Sequence, residues 1–217
     1  MEKIAVFPIP NCVAFPGNSM PLHVFEPRYR QMVDYCVNHG VALGVCHVEK
    51  VLQKAKPDQT VAEALNSNQA TYKPVPILTA GQVDIIETLR DGRLLIEISL
   101  NQRFQLVEQL QTLPFFIYSA NRYDDVTPSP ELIDKGDIAK SKVLHRLQAL
   151  AAQVPELSQL LASPEWQSKT PDQLSYELFQ FIQLDSGIMQ AILEERSAER
   201  RLLSLLDVLN KITARQT

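Results

Sequence analysis

Residues 7–37 read FPIPNCVAFPGNSMPLHVFEPRYRQMVDYCV and hold five of the chain's fourteen prolines. A φ locked near −65° and a missing backbone donor put Pro8, Pro10, Pro16 and Pro21 on an extended path unsuited to a central strand. Pro27 stands where a first helical residue belongs. Beyond it Tyr29, Met32, Val33, Cys36 and Val37 recur at the i, i+3, i+4, i+7, i+8 spacing of one buried helix face. Gly40 is placed to end that helix in the left-handed conformation. The stretch therefore reads as strand, stiff loop, helix.

Working outward, Ile4 and Val6 alternate with Lys3 and Ala5 as a first strand over 3–7. VALGVCHV, residues 41–48, is apolar almost throughout, as in a strand covered on both faces, with Gly44 marking a bulge or a close backbone approach. Residues 49–76 break into a polar excursion around Pro57. Within it Thr60-Val61-Ala62-Glu63 has the form of a capping box, which predicts a turn or two of helix around Ala64 and Leu65. From 77 to 107 the pattern is β. Val83, Ile85 and Leu89 lead to the Asp91-Gly92 hairpin signal, and Leu94, Ile96, Ile98 and Leu100 alternate with Leu95, Glu97, Ser99 and Asn101 on the return. Phe104, Leu106 and Val107 continue the sheet, and FFIYSANRY after Pro114 supplies a further strand. Six or so hairpin-linked strands predict a closed or nearly closed antiparallel barrel.

After Ser129-Pro130 only helices are expected. Val143, Leu147, Leu150, Ala151 and Val154 share the face of one long helix ending before Pro155. Thr170-Pro171-Asp172-Gln173 opens another, with Leu174, Leu178, Phe181 and Ile182 inward. Asp185-Ser186 starts a last one carrying the stripe Ala198, Leu202, Leu205, Leu206, Leu209 and Ile212, which packs in its own bundle or serves a homo-oligomer. The fold class is α+β: an antiparallel β-barrel-like domain with one early helix over residues 1–125, then a helical bundle over 126–217.

At 217 residues with 45% hydrophobic content the chain can bury a real core and fold unaided. A net charge of −4 and a pI near 5.6 argue against nucleic acid and anionic membrane as partners. No apolar run approaches a membrane span, and Met-Glu-Lys does not open a signal peptide. Three cysteines fit reduced thiols in the cytoplasm better than a disulfide framework.

Candidate chemistry is thin. Cys36, His39, Cys46 and His47 have zinc-like spacing, but neighbours in a strand point to opposite faces and Cys36 completes an apolar helix face. Cys12 and His23 flank the proline loop as a conceivable nucleophile and base, without an orienting third group. Glu26 and Arg28 read as a carboxylate at a helix N-terminus and a guanidinium pinning the loop. Gly136 to Ser141 lacks both the second glycine and the preceding strand of a phosphate loop, so Lys140 belongs to a helix. No catalytic residue, metal or cofactor is assigned.

FPIPNCVAFPG followed by PLHVFEPRYRQMV resembles the opening of the LON domain, the N-terminal substrate-recognition region of Lon-type ATP-dependent proteases, which also occurs in bacteria as a free-standing protein. A fainter likeness continues through Gly81-Gln82-Val83, Asp91-Gly92 and Arg103-Phe104 into the C-terminal helices. Leu100 and Asn101 stand where members usually carry a glycine. The resemblance implies a PUA-like barrel and a non-enzymatic module that binds unfolded or damaged protein or an adaptor, without the ATPase and Ser-Lys protease parts. Phe15, Met20, His23, Phe115, Phe116 and Tyr118 are the candidate polypeptide-binding residues, with barrel core as the alternative for the strand aromatics. Two rivals stay open. One is a small hydrolase or transferase using Cys12 or His23; the other is a PUA-like nucleic-acid binder using Arg90, Arg93, Arg103 and Arg122.

Overall fold

The computed structural model describes residues 1–55, 60, 63 and 67–214, which fall into two compact units, Met1–Tyr123 and Asp124–Thr217. In the first, β1 (Glu2–Pro8), β2 (Asn18–Val24), β3 (Ala42–Cys46), β6 (Ile77–Thr88), β7 (Leu94–Gln111) and β8 (Phe116–Arg122) form one sheet in the order β2-β7-β6-β3-β1-β8. The far half of β7 also pairs with β8. The expected antiparallel barrel is corrected to a mixed sheet, because β1 and β3 run parallel, from Ile4 beside Ala42 to Pro8 beside Cys46. Parallel neighbours need a crossover, and α1 (Pro27–His39) lies on it.

Pro8 is a second correction, since it closes β1 in the middle of the sheet. The pairing of β1 with β8 covers only Glu2 to Val6, so no ladder bond is lost at Pro8. Gly44 is a close approach: a Cβ there would lie 2.7 Å from Leu78 Cδ1 and 3.0 Å from Ile4 Cγ2. The polar excursion contains β4 (Val48–Gln53) paired with β5 (Thr71–Pro74), two strands its composition hid. Thr60 and Glu63 do form the reciprocal capping bonds, at 2.9 and 3.3 Å, while Ala64 and Leu65 lie outside the described residues.

Both faces of the sheet carry core. Tyr29, Met32, Val33 and Cys36 of α1 pack with Ala5, Leu43, Val45, Ile96, Ile98 and Leu100 on one face. Ile4, Val6, Cys46, Leu78, Ala80 and Phe104 form a second cluster. Strict alternation along β1 and β3 divides their residues between the two. Val37 is exposed, contrary to the helix-face expectation. Each i+4 step advances the stripe by about 40° around the helix, and Val37 lies two such steps past Tyr29. Gly40 ends α1 at φ 62°, its N–H bonded to the Cys36 carbonyl.

In the second unit α2 (Pro130–Leu150), α3 (Pro155–Ala162), α4 (Pro164–Ser168) and α5 (Pro171–Glu177) each begin on proline. Proline loses nothing there, since a first-turn N–H has no helical partner. The Thr170–Gln173 capping box is complete. Phe181 is corrected to an exposed position past the end of α5, its ring edge-on to buried Trp166 at 5.4 Å. The single last helix becomes two, α6 (Ser186–Glu194) and α7 (Ala198–Ala214), because Glu195 is extended. Leu202, Leu205 and Leu209 are buried and Ile212 is exposed, so most of the stripe is spent inside its own unit. Arg201, fully buried, binds both Asp125 oxygens at 2.7 Å, Asp172 at 2.7 Å and Ser175 Oγ at 2.8 Å. It also stacks over the Tyr176 ring at 4.0 Å. Nothing in the leucine periodicity announced this residue.

Candidate functional site

The six residues expected to bind polypeptide do not form one surface. Phe15, Phe115 and Phe116 are buried, which removes Phe15 from the surface and gives Phe115 and Phe116 the core position left open for the strand aromatics. Phe115 belongs to the core under α1, with Met20 packed at its margin. Phe116 belongs to the opposite core, where Tyr118 meets it edge-on at 6.3 Å and donates its hydroxyl to Gln109 at 3.0 Å. Met20 is half-buried and His23 exposed; three positions apart on β2, they point to opposite faces.

What the structure does leave open is one end of the sheet. Among the described residues β2 pairs with β7 alone, so its second edge has no described strand on it. Pro21 has no N–H, yet the ladder runs unbroken from Asn18 beside Leu100 to Val24 beside Leu94. The bonds to β7 therefore come from Met20 and Leu22, and Ser19, Pro21 and His23 turn their backbone groups to the open edge. The same alternation buries one face of this end and bares the other. Ser19, Pro21 and His23 on β2, Glu97 and Ser99 on β7, and Gln82 and Asp84 on β6 are all exposed. The registers set them in rows, with Pro21 beside Glu97 and Glu97 beside Asp84. Ile86, the extra residue at a register shift of β6, stands next along that strand with 64% of its surface exposed.

Register shifts also fall at Val107 and Leu110 in the far half of β7, and both side chains are exposed, as is Leu113 beyond them. A bulge re-aims its side chain, so these apolar positions were invisible to a reading by strict alternation. The Glu-Pro-Arg start of α1 pins a different part of the unit from the one expected. Buried Arg28 binds Glu26 at 3.0 Å, Thr71 Oγ1 at 2.8 Å and the Ala70 carbonyl at 2.7 Å. Glu26 in turn accepts the Gln69 N–H at 2.9 Å. This ion pair fixes the returning limb of the excursion rather than the proline loop.

The rival chemistries find little geometry. Burial pushes the Cys12 thiol up, the wrong direction for a nucleophile at neutral pH, and His23 is exposed on the outer face of β2. Cys36 and Cys46 lie in different cores, Asn11 donates its N–H to His47 Nδ1 at 3.0 Å, and His39 Nδ1 lies 2.9 Å from the Tyr35 carbonyl. Among the described residues no three His, Cys, Asp or Glu side chains gather as metal ligands. Lys140, on α2, donates to the Gln167 and Lys169 carbonyls. Of the four arginines considered for nucleic acid, Arg103 is buried beside the Tyr123 ring, Arg93 pairs with Asp91 and Arg122 with Glu2. No helix among the described residues is long and apolar enough to cross a membrane.

Comparison with known proteins adds what the geometry alone cannot. The family model for the ATP-dependent protease La (LON) substrate-binding domain matches residues 3–211. A curated relative, Lon protease 1 of Herpetosiphon aurantiacus, is 22% identical over 210 residues, which make up 97% of this chain but 24% of that protein. Two solved structures share the fold. The N-terminal domain of Mycobacterium avium complex Lon protease aligns with a TM-score of 0.67 at 14% identity, over 96% of this chain and 98% of its own. A Lon N-terminal domain protein from Xanthomonas campestris aligns with a TM-score of 0.58 at 18% identity, over 95% and 98%.

Proposed function

Because the chain belongs to the ATP-dependent protease La (LON) substrate-binding domain family, we propose that it is a non-catalytic module that binds extended, apolar stretches of unfolded or damaged protein in the cytoplasm. The observation that supports this reading is the open edge of β2 beside a sheet face that, among the described residues, no other element covers. An extended chain adds to such an edge through backbone bonds, which are blind to sequence, and gains affinity from apolar contacts at alternate positions. Met20 and Leu22 supply those contacts at the margin of the core. A shallow site that accepts many sequences binds weakly, at micromolar Kd or above, about −8 kcal/mol at best.

Titration with a labelled, permanently unfolded protein tests the reading. Binding without cleavage is expected, weakened by Ser19→Pro, which removes an N–H of the open β2 edge, and unchanged by Leu110→Ser at the far end of β7. Both residues are exposed, so neither change should move the melting midpoint by more than a few degrees, corresponding to about 0.5 kcal/mol or less. Competition by single-stranded RNA, or equal loss with Leu110→Ser, would remove the β2 edge as the site.

A further inference from the structure

We infer that the segments this site prefers alternate apolar residues with lysine or arginine, and seat as an added strand on the open edge of β2. The inference rests on the polypeptide-binding reading and sharpens its substrate class. Its basis is a charge pattern that the fold leaves uncompensated. Asp84 and Glu97 sit directly opposite one another in the β6–β7 ladder, and Glu87 follows in the next row, opposite Leu95. Like charges in directly opposed positions are unfavourable. Elsewhere on this unit Glu2 is matched by Arg122, Glu49 by Lys73 and Asp91 by Arg93, and Asp34 and Glu108, exposed and without an ion pair, do not face another carboxylate across a ladder. Among the described residues none of the side-chain carboxylates of Asp84, Glu87 and Glu97 has an ion-pair or hydrogen-bond partner.

An added strand meets two different environments in alternation. Every second side chain falls on the side of Met20 and Leu22, half-buried at the core margin; the others fall on the bare face. Strands lie about 4.8 Å apart, which puts Glu97, one strand beyond β2, about 10 Å from the newcomer. A lysine stem can cross the flat, exposed ring of Pro21 and set its ammonium near Glu97, with Asp84 behind it. A lysine there relieves the repulsion that the empty face carries. Pro21 offers the newcomer a carbonyl but no N–H, so the edge is one donor short and the complex stays weak.

Two peptides of about ten residues, sharing their apolar residues in alternation and differing in lysine or glutamine between them, are titrated into the full chain by fluorescence anisotropy. The lysine peptide should bind several-fold tighter, and the advantage should vanish in about 1 M salt, where charges are screened within about 3 Å. Asp84→Asn with Glu97→Gln should abolish the advantage, leave the glutamine peptide bound and, by removing the opposed charges, raise rather than lower the melting midpoint. Pro21→Val should strengthen both peptides by restoring the missing donor. Equal affinity of the two peptides, or an advantage that survives in the double variant, overturns the charge preference but leaves the polypeptide reading standing. No change on Pro21→Val overturns the edge placement. If neither peptide binds, both readings fail together.

Discussion

The two ends of the first unit's sheet share β6 and are otherwise built from different strands to opposite effect. Where β1, β3 and the first residues of β6 meet, side chains of both parities are buried: Ile4 and Val6 on one face, Ala5 on the other. At the β2–β7–β6 end only one parity is buried, and the other faces solvent with three unmatched carboxylates. β6 passes from one regime to the other within a single register shift, between Ala80 and Gly81. A sheet end covered on both faces fixes architecture. One that spends half its side chains on water is free to meet something else.

The largest expected effect tests the seam between the two regimes. A Cβ on Gly81 would lie 1.7 Å from the Ser99 carbonyl oxygen, a backbone atom that no rotamer change can move. Gly81→Ala should therefore separate β6 from β7 and cost more than about 4 kcal/mol, in the range where single substitutions are exceptional. A thermal melt within a few degrees of the parent would show that the seam is not fixed by this contact. Next comes Leu78→Ala at the covered end. Leu78 is fully buried in the second core, so the change should cost about 2–5 kcal/mol through lost burial and the cavity left behind. Binding by the surviving folded fraction should be normal. A binding defect that persists at low temperature, where the variant is folded, would mean that the two ends are coupled.

Much of this contrast was written in local sequence, and the missing parts have physical causes. Alternation over Leu94 to Leu100 is visible because each buried residue is apolar and each exposed neighbour is polar or small, save Leu95. The Asp91-Gly92 turn and the proline helix starts are chemical necessities of φ and of absent donors, so they were legible too. The β1–β3 parallel pairing was not, since it joins residues 38 apart, Ile4 and Ala42, and leaves no local mark. Bulges were hidden for a related reason: one unpaired residue resets the parity of everything after it. Phe15, Phe115 and Phe116 show the same limit for the candidate site. An aromatic residue in a strand reads identically whether its face is covered or bare, and only the sheet order decides.

A third test uses the thiols of the two cores. Burial pushes the Cys36 thiol up to about 12, and raises Cys46 as well, whereas an unfolded thiol releases its proton near 8.5. Each folded-state value lies above the unfolded one. The stabilisation is therefore complete below about pH 8.5 and declines as the pH rises toward about 12, because only the unfolded chain gains the favourable ionisation. The melting midpoint should fall across that window. Cys36→Ala should start lower but fall less steeply, and parallel slopes for the two proteins would mean that the Cys36 thiol is more accessible than its place among Tyr29, Met32 and Val33 implies.

The smallest effect is the most discriminating, because Met20 belongs to both regimes. Its side chain is half-buried against the core under α1, yet its strand is the open edge. A fully exposed methionine truncated to alanine would change stability by about 0.5 kcal/mol or less, and a fully buried one would lose about 2–5 kcal/mol. Met20→Ala should fall between, at about 1 kcal/mol, since only part of its surface leaves water on folding. An incoming strand would cover the remainder, so the variant should also bind the alternating lysine peptide two- to fivefold more weakly, about 0.4–1 kcal/mol. Stability and binding are then two readings of one side chain's area, split between the core and the partner. A stability loss of the buried size with unaltered peptide affinity would assign Met20 wholly to the core and leave Leu22 as the apolar contact of the edge.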